Sequence, residues 1–370
     1  MTRCTRILPH LVLHLTPILF GFAALRAEEQ RLLYVAAPGV RNYLEYGGAG
    51  ILVFDIDHGH RFVRRIQTPA SRANQPENIK GICASAATAR LYYTTPTRLY
   101  CQNLMTDEPL WERKLPQGCD RLSILPDGKL LYVPSYERDI WNVVDGGTGK
   151  VVATIETNSG AHNTVCGASG RWVYLGGLKS PFLRVAETEQ HHVVREVGPF
   201  GGAVRPFTID SGENRAFVCV NDLLGFEIGD LTTGKVTSRI EVTGFRMGPV
   251  KRHGCPSHGI ALSPDERQIW LCDAHNQRLH VFDMTGQRPR QIDSIALRDE
   301  PGWVTFGMDG AFAYSSTGEV IDAERRTIVA ALVDEAGRPV QSEKMLEIRY
   351  LEGKLLAVGD QFGVGRLRNR

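Results

Sequence analysis

One short phrase recurs along this chain and constrains what the chain can become. "RLLYVAAP" from Arg31 returns as "ARLYYTTP" from Ala89, "GKLLYVPS" from Gly128 and "GRWVYLGG" from Gly170. It returns again as "NRAFVCVN" from Asn214, "RQIWLCDA" from Arg267, "GAFAYSST" from Gly310 and "GKLLAVGD" from Gly353. The aligned position holds Tyr34, Tyr92, Tyr132, Tyr174, Phe217, Trp270, Tyr314 and Ala357. Aromatic residues are 8% of the chain, so a column with seven of them is not chance. From Tyr92 onward the steps are 40, 42, 43, 53, 44 and 43 residues. A period of that size marks repeated units, each of which buries its apolar face only against its neighbours.

The surroundings of each copy repeat as well. Upstream lies a short strand that ends in a polar turn, as in "RLSILPDGK", "FTIDSGENR" and "GIALSPDER". Downstream lies a hairpin, as in "WNVVDGGTGKVVATI" and "GFEIGDLTTGKVTSRI". Gly, Asp, Asn and Thr at these tips supply the backbone angles and local hydrogen bonds of tight turns. Four short strands per period of this length is the pattern of a propeller blade. The fold class expected is therefore all-β: a β-propeller of four-stranded antiparallel blades. The C-terminal "MLEIRYLEGKLLAVGD" offers a first strand for the blade that the N-terminus begins at its second strand. That closure gives seven blades and leaves no open sheet edge. The eighth copy of the phrase is then a surplus, and it leaves an eight-bladed ring open.

The stretches "YVAA", "LYVPSYERDIWNVVDGGTGKVVATI" and "IALSPDERQIWLCDAHNQRLHVFD" resemble the YVTN-type β-propeller repeat family, and the likeness runs over most of residues 30–361. The resemblance implies architecture strongly and activity hardly at all. Relatives of that architecture include bacterial propeller lactonases, quinoprotein dehydrogenase subunits and the haem-binding propeller of nitrite reductases.

The first 27 residues differ from the rest. Arg3 and Arg6 precede the apolar "ILPHLVLHLTPILFGFAAL", and Ala27 is a suitable last residue before cleavage. These are the parts of a secretory signal, with an uncleaved membrane anchor as the alternative. Residues 28–370 then form one propeller domain, periplasmic or secreted, with no membrane span after cleavage. Seven cysteines remain in that domain, an odd number with no CxxC or CxxCH spacing, so most are expected as buried free thiols. The formal charge is +2 with no basic block, which argues against nucleic acid as a partner.

Candidate site residues come from aligning the first strands of six blades. The leading column reads Lys80, Asp120, His162, Arg205, His258 and Gly302, and the next reads Gly81, Arg121, Asn163, Pro206, Gly259 and Trp303. The column after that is mostly apolar, so the strands repeat while their starts do not. Propeller first strands begin round the central channel, which brings Lys80, Asp120, Arg121, His162, Asn163, Arg205, His258 and Trp303 to its mouth. Two long insertions, "PGVRNYLEYGGAG" and "TGFRMGPVKRHGCP", are placed to decorate or cover that mouth. His253, Cys255 and His258 are too few for a metal site on their own, and Asp120, His162 and His258 are a set that could meet only across the channel, so no metal and no cofactor is expected. The histidines of "HGH" at 58–60 and "HH" at 191–192 read as solvated loops. The function expected is non-catalytic binding of a small anionic molecule or an envelope protein. One alternative is a lactone hydrolase with His162 or His258 as base and Arg205, Arg121 or Lys80 at the oxyanion. Another is a redox propeller linked to haem or quinone.

Overall fold

The computed structural model describes Met1, residues 29–72 and residues 74–362, so the expected signal segment lies outside the described residues. Seven antiparallel sheets form the blades of a ring, and no helix occurs among the described residues. No helix there is long and apolar enough to cross a membrane. The first strands of the blades, from Gly81–Ser85 through Val304–Phe306 to Met345–Leu351, run round one central channel.

The aromatic column is the frame. Tyr34, Tyr92, Tyr132, Tyr174, Phe217, Trp270 and Tyr314 each lie in the second strand of a blade, wholly buried. Each contributes about 1.5–3 kcal/mol by burial alone. A buried hydroxyl or indole N–H needs a partner, and most of these find one beyond their own strand. Tyr34 Oη meets Tyr350 Oη at 3.0 Å, Tyr92 donates to the Gly146 carbonyl at 3.0 Å, and Tyr174 donates to Glu213 at 2.9 Å. His60 and His191 serve the same purpose for Tyr314 and Tyr132, at 3.1 and 2.9 Å. The expectation of solvated loops thus fails for both histidines, most clearly for His60, which is 5% exposed. Its ring packs edge-on to Phe312.

The turn between first and second strands uses one left-handed residue. Gly128, Gly170 and Gly310 hold it in three blades, with φ of 72°, 70° and 75°. Ala89, Glu213 and Glu266 hold it in three others despite the steric cost of a Cβ there.

Closure follows the expected route. Met345–Leu351 pairs with Glu29–Ala37, placing Leu346 opposite Tyr34, and joins the two ends of the chain in one blade. The surplus phrase is not an eighth blade. Its strand, Lys354–Val358, folds back on the free inner edge of Met345–Leu351 and makes that sheet five-stranded. The outer edge is already taken by the nine-residue Glu29–Ala37, which carries the aromatic residue that Ala357 lacks. The chain then runs across the end of the channel. Gln361 accepts from Ile82 N and donates to the Leu122 carbonyl, both at 3.2 Å, and Phe362 packs edge-on to Trp303. The chain's own tail thus reaches across this end of the channel.

All seven cysteines of the described residues are free. Burial pushes the thiols of Cys101, Cys119 and Cys166 up to about 12, so they stay protonated and unreactive.

Candidate functional site at the open channel mouth

The strand registers extend the leading column to the seventh blade. Residues opposite the aromatic column include Cys83, Ser123, Val165, Ala261 and Leu346. Counting back three positions from Cys83 gives Lys80, and from Leu346 it gives Glu343. Glu343 and Lys344 are thus the leading pair of the closing blade. Sequence reasoning aligned six first strands and missed them, although the same count on "SEKMLEIRY" finds both.

A cavity of about 840 Å³ opens at this end of the channel. Lys80, Arg121, His162, Arg205 and His258 line it, together with Glu343, Lys344 and His253. Three of the expected residues stand behind the wall instead. Asp120 is fully buried beneath His162 and Lys80. Asn163 is buried beside Arg121, to which its strand makes a single parallel bridge. Trp303 is the floor: the centre of the Arg121 guanidinium lies 3.7 Å from its ring centroid. The two long insertions meet over the mouth. Arg252 stands 5.8 and 5.5 Å from the rings of Tyr43 and Tyr46 and pairs with Asp299 at 2.6 Å, while Arg41 donates to the Arg252 carbonyl.

The charges are arranged in two groups. In the first, His162 Nδ1–H donates to Asp120 Oδ2 at 2.7 Å and Lys80 Nζ lies 3.4 Å from Asp120 Oδ1. Burial opposes the Asp120 charge, but His162 and Lys80 outweigh it and hold its pKa low. Burial lowers the pKa of His162. In the second group, Glu343 Oε2 accepts from Arg121 and from Lys344, the latter at 2.9 Å. These two cations overcome burial and hold the Glu343 carboxyl well below its usual range. Burial brings Lys344 down to about 7, with the Glu343 charge acting against it. His258 Nδ1–H donates to the Gly302 carbonyl at 3.1 Å, which fixes its tautomer and makes Nε2 the lone-pair atom. Burial holds His258 neutral, far below the ordinary histidine range.

Gly302 explains why the closing side of the mouth differs. It is the one leading-column residue without a side chain. A Cβ there would run into the His253 ring and Glu343. His253, from the long insertion, fills that space and stacks on His258 with ring centroids 4.7 Å apart.

Seven of the lining residues are Lys or Arg and two are Glu, so the cavity is electropositive. Arg121 Nε and Nη1 and Arg205 Nε are buried without hydrogen-bond partners. No carboxylate pairs with Arg205 among the described residues; its guanidinium lies against Gly254 and meets the Cys255 thiol. The mouth can therefore accept negative charge, and the Asp120-oriented His162 can take up a proton at Nε2.

A Ser–His–Asp relay also occurs within the sixth blade. His280 lies 2.9 Å from Ser294 Oγ and 3.0 Å from Asp273 Oδ2. His280 is fully buried between its strands, so no substrate reaches it and the relay ties the sheet together.

No protein-family model matches this chain, and no curated protein matches its sequence. Among 1639 matching chains of solved structures is one of hydrazine synthase from Kuenenia stuttgartiensis. It aligns with a TM-score of 0.59 at 13% identity, over 75% of this chain and 88% of that one. At that identity the likeness speaks for the fold alone: this chain is a seven-bladed, all-β propeller.

Proposed function

We propose that the protein is a binding propeller whose open channel mouth takes a small carboxylate- or phosphate-bearing molecule. The observation that carries this reading is the set of unfilled guanidinium donors on Arg121 and Arg205 in an electropositive cavity. Buried donors without acceptors cost about 1–3 kcal/mol each, and an oxyanion that these side chains turn to meet recovers that cost with charge-assisted hydrogen bonds. The test is calorimetric titration with inorganic phosphate and with succinate, repeated at high salt. Saturable binding that weakens with salt supports the reading. The absence of saturable binding by both anions overturns it.

One observation favours a second reading, a hydrolase acting on a lactone. The Asp120–His162 pair at 2.7 Å is the arrangement that orients an imidazole as general base. Turnover of a lactone that is lost in His162→Gln supports this reading, and turnover unchanged in that variant removes it.

Two further parts of the proposal rest on sequence. The charged, apolar start that ends at Ala27 supports export to the periplasm or beyond, and N-terminal sequencing of the mature protein tests it. The repeat text supports kinship with YVTN-type propellers. Buried, protonated thiols are compatible with an oxidising compartment.

A further inference from the structure

We propose that His253, His258 and Glu343 form a binding site for a late first-row divalent cation such as Zn²⁺. The inference is independent of the anion reading.

Among the described residues, these three side chains bring one ligand atom each within 4.8 Å of one another, all on the cavity wall. They come from the long insertion, a first strand and the closing blade, so no local motif announces them. The surroundings of His258 and Glu343 suit ligation. His258 gives its Nδ1–H to the Gly302 carbonyl, the outer-shell contact that commonly orients a metal-binding imidazole and leaves Nε2 bare. Glu343 divides its two oxygens. Oε2 is held by Arg121 and Lys344, while Oε1 is turned to His253, 3.2 Å from Nδ1. That separation is close to the ligand–ligand edge of a tetrahedral site with bonds of about 2.0–2.1 Å. His258 needs to move inward to complete the triangle.

The space for this cluster is made by Gly302. Any side chain at that position collides with both His253 and Glu343. Two imidazoles and one carboxylate are a donor set suited to zinc and its neighbours rather than to calcium or magnesium. Three protein ligands on a cavity wall leave a fourth position facing the cavity. Arg121 and Lys344 oppose a cation, so the affinity is lower than for an isolated site of the same ligands.

The second candidate cluster, Asp120, Glu137 and His162, is weaker. Glu137 is exposed, and Lys80 already lies 3.4 Å from Asp120.

The test uses untagged full-length protein, freed of metal by chelator and titrated with Co²⁺ in a buffer without coordinating anions. Visible d–d absorption reports coordination, and calorimetry with Zn²⁺ reports stoichiometry. The expected result is one equivalent bound, with affinity falling roughly 100-fold or more in His253→Gln and in His258→Gln. His162→Gln, in the second cluster, should bind as the parent does. Thermal melts of the metal-free variants confirm that each is folded. The proposal is overturned if no stoichiometric uptake occurs. It is equally overturned if uptake survives both the His253 and His258 substitutions, or if it depends on His162 instead.

Discussion

Two columns run round the seven blades, three positions apart on paired strands, and they behave as opposites. The aromatic column repeats: every blade has a large ring, every ring is buried, and the polar tips are satisfied by neighbours. The leading column does not repeat: it reads Lys80, Asp120, His162, Arg205, His258, Gly302 and Glu343. A packing rule acts on all blades alike and so leaves a regular signal. A site round a symmetric channel needs different groups at each step, so it shows as a failure of the repeat. The far end of the channel makes the same point, because its Gln361 and Phe362 hold backbone and rings.

The largest expected effect lies in the aromatic column. Trp270→Ala removes a wholly buried side chain that packs edge-on to Phe306 at 5.4 Å. It should cost about 3–5 kcal/mol in chemical denaturation. A loss below about 1 kcal/mol would show that the column is decoration and would break the contrast.

Acid should attack the same column through its caps. Burial lowers the pKa of His60 to about 4, with Arg31 adding to the shift. The unfolded chain binds this proton near pH 6.5 and the folded chain only near 4, so stability falls as pH drops through that window. The part due to His60 is about 3 kcal/mol. Denaturation midpoints at pH 7 and pH 4.5 should differ less in His60→Gln, which stays neutral at both. An identical pH dependence would remove His60 from the account.

Gln361→Ala probes the far end. It deletes two buried hydrogen bonds, to Ile82 N and the Leu122 carbonyl, and should cost about 2 kcal/mol. Anion binding at the mouth should be unaffected, because the Trp303 indole bonds to the Gln361 backbone carbonyl rather than to its side chain. Weaker anion binding in this variant would show that the two ends are coupled.

Much of this architecture was legible in the text of the chain. The aromatic spacing and turn residues are enough for the blades and for closure through Met345–Leu351, though not for the choice between seven blades and eight. The surplus "KLLAVGD" was not legible as a fifth strand, because its pattern matches a second strand. Only competition with Glu29–Ala37 for one sheet edge moves it inside. At the mouth, the leading column pointed to Lys80, Arg121, His162, Arg205 and His258. It could not show that Asp120 and Asn163 are buried behind them, since depth depends on the width of the channel. His253 was visible only as part of a loop. Its place against His258 and Glu343 depends on the side chain that Gly302 lacks.

The most direct test of the contrast is Arg205→Met, read for stability and binding on the same sample. Arg205 is buried, has an unfilled Nε donor and has no carboxylate partner among the described residues. A residue kept for scaffold would stabilise the fold, whereas one kept for a ligand holds an uncompensated charge in its absence. The expected result is ligand-free stability that is unchanged or raised, by up to about 1 kcal/mol, with phosphate and succinate affinity lost. A clear fall in stability with anion affinity intact would contradict the account and make the leading column scaffold after all.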